Sequence, residues 1–218
     1  MLGYFRQIFR ISRYNPFLIL KNIKYNYFSK NIVRLNNVHL YIYPNVIVDL
    51  SKTATITLNG NMFLGQPSIK NNKQVSKLIM RENSHIGVNK KCELSDGFDI
   101  QIQSNGCWIM DNFHSNIDLE VSCGFTITIQ GTVTAGRHVR IKDFNGHKVN
   151  LEGYPFKAPI IIEDHVWLCT GSTINPGVTI CSGSVIADNS NVISDVSCNT
   201  FNQGNPSKVI EDNIKFEI

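Results

Sequence analysis

From Ile162 onward, aliphatic residues recur at every sixth position: Ile162, Leu168, Ile174, Ile180, Ile186 and Val192. Four residues after each of the first five stands Val166, Ser172, Val178, Ser184 or Ser190, all small or β-branched. Val121, Ile127, Val133 and Val139 keep the same spacing earlier in the chain. An α-helix repeats at 3.6 residues and a strand alternates at two, so neither alone explains a period of six. Short strands forming the flat faces of a prism do explain it. Each strand points one aliphatic residue inward, and small or turn-forming residues, as in "NPGV" and "CSGS", take the corners. The pattern therefore predicts a mainly β chain built as a parallel β-helix, each coil stacked about 4.8 Å above the last.

The rhythm breaks once in this half. The step from Val139 to Ile162 is not a multiple of six. The stretch "KDFNGHKVNLEGYPFKAP" supplies the Gly, Pro and Asn residues with which a chain leaves and rejoins a coil. A loop at 142–159 is expected, and long loops on rigid scaffolds are favoured places for function. Weaker strands such as "HLYIYPNVIV" and "ATITL" come earlier. The division that follows is an opening segment at 1–40, a β-helix over 41–203 and a tail at 204–218, the two ends capping the solenoid.

Composition changes this picture mainly at the front. Of the net charge of +4, residues 1–48 supply seven basic side chains (Arg6, Arg10, Arg13, Lys21, Lys24, Lys30, Arg34) and no acid, so the remainder sums to −3. As a helix, the opening places Phe5, Ile8 and Phe9 on one face and Arg6, Arg10 and Arg13 on another. Two readings follow: a cap that shows its arginines to solvent, and peripheral contact with an anionic membrane through residues 1–34. Nucleic acid is not expected as a partner, because the rest of the chain is acidic and carries no recognised motif. No run reaches the roughly 18 apolar residues of a membrane span, and arginines interrupt the start, so a cytoplasmic location, at the inner face of a membrane, is expected. Six cysteines stand singly with no CxxC pair, which suggests buried reduced thiols.

The run "IIIEDHVWLCTGSTINPGVTICSGSVIADNSNVISDV", followed by "GNPSKVI", resembles the hexapeptide-repeat acyltransferases over roughly residues 85–211. The basic, aromatic opening is similar to the front of capsule and lipopolysaccharide O-acetyltransferases. The resemblance implies a left-handed β-helix, assembly as a homotrimer, acetyl-CoA as cosubstrate and a carbohydrate acceptor. It implies that His147, in "NGHKV", is the general base, and that Asn116 hydrogen-bonds thioester or substrate oxygens beside an acceptor-contacting His114. Asp143, four residues before His147, is expected to orient the imidazole, with a turn-capping role as the alternative. For acetyl-CoA the implied contacts are Trp167, Thr170, Asp188, Ile193, Ser194 and Lys208, the lysine facing the nucleotide phosphates as a point charge. Asp188 replaces a smaller residue usual there, and Glu211 stands where some relatives have an arginine.

The implied function is acetyl-CoA-dependent O-acetylation of a sugar hydroxyl on a surface polysaccharide or its precursor. Its rivals are N-acetylation of an aminosugar nucleotide and a non-enzymatic β-helix module. A zinc site drawn from His138, His147, His165 and Cys169 is a further alternative, but the chain lacks the ordered histidine set of the metal-binding β-helix enzymes, and no metal is expected.

Overall fold

The computed structural model describes residues 2–69, 73–149 and 155–217. Parallel pairing runs along the whole solenoid in three ladders, which are the three faces of a prism. Face one stacks Phe113–Ser115 on Val133–Ala135, Val166–Leu168 and Val185–Ile186 in turn. Face two stacks Glu120–Cys123, Arg140–Lys142, Thr173–Ile174 and Asn191–Val192. Face three stacks Cys107–Met110, Ile127–Ile129, Ile160–Ile162 and Thr179–Ile180. The ladder begins at Ile32, which pairs with Ile56, so part of the 1–40 segment already belongs to the coils.

The six-residue rhythm is the inward column of these faces: Ile162, Leu168, Ile174, Ile180, Ile186 and Val192 are all buried. Lower coils fill the same axis with larger side chains, among them Phe98, Trp108 and Phe113. In the upper coils, three periods of six separate rung partners, as for Leu168 and Ile186. Val133 and its partner Val166 stand fifteen positions farther apart than that. The surplus is the excursion after Lys142.

An open β-helix end exposes a row of unpaired backbone groups, and the opening segment covers it. Helix α1 (Leu2–Ile11) buries Tyr4, Ile8 and Ile11 against Tyr41 and Phe63. Helix α2 (Pro16–Ile23) follows, capped by the Asn15 side chain, which accepts from the Phe17 and Leu18 amides, and continues as a π-helical turn, Lys24–Phe28. Two buried asparagines one turn apart then imitate a strand. Asn22 donates to the Ile42 carbonyl (2.9 Å) and accepts from its amide (2.8 Å), and Asn26 does the same for Leu40 at 2.7 and 2.9 Å. Lys21 and Tyr25 reach the Val46 and Val48 carbonyls. The side of α1 that faces inward is Tyr4, Ile8 and Ile11, with Phe5 beside it, while Phe9, expected on that face, is exposed. At the other end, Thr200–Gly204 pairs in parallel with Val185–Ile186 and folds back on Ser207–Asp212 as an antiparallel hairpin.

The cysteine expectation needs correction. Cys181 and Cys198 form a disulfide, their Cα atoms 4.6 Å apart, while Cys92, Cys107, Cys123 and Cys169 are free. Stacking explains it: residues one coil apart come within a rung spacing, although 17 positions separate them in sequence. Among the described residues, one metal-ligand-like cluster occurs, Glu163 with Cys181 and Cys198, and its two sulfurs are joined to each other.

Candidate active site

The corners between faces form three edges. The first edge, between faces one and two, contains Asn116, Gly136, Thr170 and Asp188. Its turns are held by a column of left-handed residues, Asp118, His138, Gly171 and Asn189, and by Ser172, whose hydroxyl donates to the Cys169 carbonyl at 2.9 Å. Asn116 is half-buried, with its amide bonded to the Ala135 carbonyl and its side-chain oxygen accepting from Ile117. Thr170 and Asp188 are exposed, one rung apart by the register that pairs Leu168 with Ile186. A Cβ on Gly136 would lie 2.8 Å from the Thr170 nitrogen, so glycine lets adjacent coils approach where these residues sit.

Beside this edge, on face one, a single column runs Glu93, His114, Thr134, Trp167 and Val185. His114 is exposed, its Nδ1 4.0 Å from the Glu93 carboxylate. Trp167 is two rungs above His114 and partly exposed. The C-terminal tail lies across this face: Phe216 stacks on His165 (4.5 Å), accepts a hydrogen bond at its carbonyl from that ring (2.9 Å) and approaches Trp167.

The second edge, between faces two and three, carries the excursion. Its base is a short neck in which Phe144 bridges Lys157 in antiparallel fashion. The Asn145 amide donates to Phe156, the Asn145 side chain to Pro155, and Ala158 to the Asp143 carbonyl. The Phe144 ring covers Gly124, where any Cβ would clash with it. His147 stands two residues beyond this neck, exposed. Residues 150–154 of the expected loop lie outside the described residues. Ile193 and Ser194, also exposed, follow Val192 on this same edge.

Asp143 does not orient His147 in the chain. It is fully buried, and its carboxylate accepts from the Gly124 and Phe125 amides at 2.6 and 2.9 Å. Burial holds its carboxyl above the usual value, against the lowering effect of those bonds. The alternative reading, a turn-capping aspartate, describes these contacts. It pins the loop's root, and the reason is local: a chain leaving a coil strands two amides that need an acceptor.

The predicted residues therefore fall in two groups within one chain. Asn116, Thr170 and Asp188 share the first edge, with His114 and Trp167 on the adjoining face; His147, Ile193 and Ser194 are on the second, with face two between them. Lys208 lies on the terminal hairpin, exposed and opposite Gln203. The histidines of the zinc alternative do not converge, for His138, His147 and His165 occupy three different edges. His138 sits instead beside Asp118 at 3.4 Å.

No family model matches the chain. A search of curated proteins aligns it with galactoside O-acetyltransferase of Escherichia coli strain K12, 35% identical over 105 residues, 46% of this chain and 51% of that protein. The galactoside O-acetyltransferase of Lactococcus lactis is 28% identical over 148 residues, 66% of this chain and 70% of that one. Over these stretches the chain is similar to acetyltransferases. It spans about half the length of the first curated relatives it matches. Among solved structures, the polySia-specific acetyltransferase NeuO superposes with a TM-score of 0.55 at 22% identity, covering 86% of this chain and 88% of that one. The polysialic acid O-acetyltransferase OatWY gives 0.52 at 16%, covering 86% and 90%. Both share the left-handed β-helix fold of this hexapeptide-repeat chain over most of its length.

One feature of the front half escaped the sequence reading. Leu40 and its rung partner Met62 are as far apart in sequence as Leu78 and Ile100, but the next step, from Met62 to Cys92, is eight positions longer. Those eight are looped out after Gln66, making a second excursion, and this one leaves from the first edge. The lengthened interval between stacked apolar residues was its only signal, hidden because the lower coils do not keep the period of six.

Proposed function

We propose that the chain transfers an acetyl group from acetyl-CoA to a hydroxyl of a surface glycan or its precursor, in a homotrimer whose sites lie between chains. The observation that carries this reading is the division of the candidate residues between two edges. A neighbouring chain that sets its first edge against this chain's second edge would bring His147 to Asn116, Thr170 and Asp188. In that site His147 takes the hydroxyl proton as the oxygen attacks the thioester carbonyl. The resulting oxyanion, hydrogen-bonded by the Asn116 side-chain NH2, collapses with cleavage of the C–S bond. The CoA thiolate leaves and recovers the proton from the imidazolium, so no covalent enzyme intermediate is required. Lys208 meets the nucleotide phosphates in this reading, which its exposed position on the terminal hairpin supports. The curated relatives, which include galactoside O-acetyltransferases and colanic acid biosynthesis acetyltransferases, support an acetyl donor and a sugar acceptor.

The test is acceptor-dependent CoA release with a panel of sugars, for the wild type and His147→Ala. Loss in the variant is expected; full turnover without His147 would contradict the mechanism.

The cap supports a location at an anionic membrane surface. Phe17, Leu20 and Phe28 are 81%, 62% and 78% exposed along α2 and its π-helical continuation, beside Lys24. No helix among the described residues is long and apolar enough to cross a membrane. Co-sedimentation with phosphatidylserine vesicles, reduced by Phe17→Ser with Phe28→Ser, is the expected result; equal recovery with and without vesicles would contradict it.

A further inference from the structure

The excursion at the first edge is anchored at both ends. Ser68 donates its amide and hydroxyl to Asp96 at 3.2 and 3.0 Å, and Gln74 donates to Asp118. Between this excursion, the end of α1 and face one lies a cavity of about 870 Å³. Arg10 enters it from α1, Arg13 from the turn after α1, and Lys73 and Lys91 from the walls, with Tyr43 and Phe63 also lining it. Among the described residues, two carboxylates, Glu93 and Asp96, complete the charged lining. Four cations against two acids leave an excess of positive charge, and Glu93 is already paired with Lys91 at 2.9 Å. The cavity is continuous with the candidate acceptor side, since Glu93 both lines it and lies 4.0 Å from His114 on the next rung.

We propose that this cavity is a subsite for an acidic sugar residue of the acceptor, one that bears a carboxylate. This assignment rests on the acetyltransferase reading and names its substrate class. Guanidinium and ammonium groups recognise a carboxylate by charge-assisted hydrogen bonds. The aromatic residues offer an apolar wall to the C–H face of a pyranose, and the Glu93 carboxylate accepts from its hydroxyls. A cavity of this size, one rung below His114, holds a sugar unit neighbouring the one acetylated. The acceptor is then a chain of at least two residues lying along the first edge, with its charged unit towards α1.

The test is equilibrium binding to the full chain, without acetyl-CoA, of hexuronate and sialate oligosaccharides, each beside its carboxyl-reduced counterpart. At least one carboxylated oligosaccharide should bind about tenfold more tightly than its reduced form, less so as salt rises. Arg10→Gln with Lys73→Gln, both exposed side chains, should remove about that tenfold preference while leaving the thermal midpoint and acetyl-CoA affinity unchanged. Equal binding of charged and reduced forms, no binding of any, an unaltered preference in the double variant, or displacement by inorganic phosphate at lower concentration than by free uronate would each overturn the subsite. Acetyl transfer measured on the same panel separates the two claims. Selective binding without transfer contradicts the enzyme reading and keeps the subsite; transfer with no preference for charge does the reverse.

Discussion

The first and second edges of the prism solve the same problem, turning a chain between two short strands, in opposite ways. At the first edge the upper turns are tight and nearly identical, held by left-handed residues such as His138 and Asn189 and by the buried Ser172 and Ser190. At the second edge one turn is replaced by a long excursion whose root is pinned by Asp143 and whose neck presents His147. Regular turns place exposed groups at fixed rung spacings, which suits an extended cofactor. A neck projects one group away from the wall, which suits a base that must reach another chain. Neither edge holds a complete set of groups, so the difference between them is also the argument for assembly.

The largest expected effect lies on the second edge. His147→Ala should lower turnover about 10²- to 10⁴-fold in an acceptor-dependent assay, with an unchanged thermal midpoint, because the side chain is exposed. On the first edge, Gly136→Val would force the Thr170 backbone aside. It should cost about 1–3 kcal/mol in denaturant unfolding and raise the KM for acetyl-CoA more than that for the sugar. If both KM values rose equally, the first edge would not be specific to the cofactor.

Asp143→Asn leaves one amide at the loop root without an acceptor and should cost about 1–2 kcal/mol. Burial raises this carboxyl above its ordinary 3.8, so its contribution is fully present below that value and is lost as pH rises through the raised one. Unfolding measured across that window should show this decline in the wild type and a flatter profile in Asp143→Asn. Smallest of all, His114→Ala should raise the acceptor KM by about two- to fivefold, with little change in kcat, since an exposed side chain contributes modestly.

Much of the upper solenoid was legible because its physics is repetitive. One aliphatic residue per short strand must face the axis, so Ile162 to Val192 announced both the faces and, by a broken count, the excursion carrying His147. The lower coils were harder: Phe98, Trp108 and Phe113 fill a wider cross-section, the coils exceed three periods of six, and the excursion after Gln66 merged into that irregularity. The Cys181–Cys198 pair was invisible for a related reason, as stacking brings together residues that linear spacing keeps apart. Asp143 shows the limit of motif spacing. Its place near a histidine suggested an orienting partner, but stranded amides at a turn compete for the same carboxylate and win here. The opening segment reads as basic and amphipathic, yet only the packing shows that α1 turns Tyr4, Ile8 and Ile11 inward, with Phe9 exposed, while α2 shows Phe17 and Leu20 to solvent.

The division of the site between chains is tested most directly by mixing two variants defective on different edges, His147→Ala and Asn116→Ala. Each is inactive alone on this account. After unfolding and refolding together in equal amounts, about one interface in four pairs an intact His147 with an intact Asn116, so acceptor-dependent CoA release should recover to about a quarter of the wild-type rate. The recovered species should have three times the 24.6 kDa mass of the chain. A mixture no more active than the separate variants, while still forming that assembly, would contradict a site shared between chains.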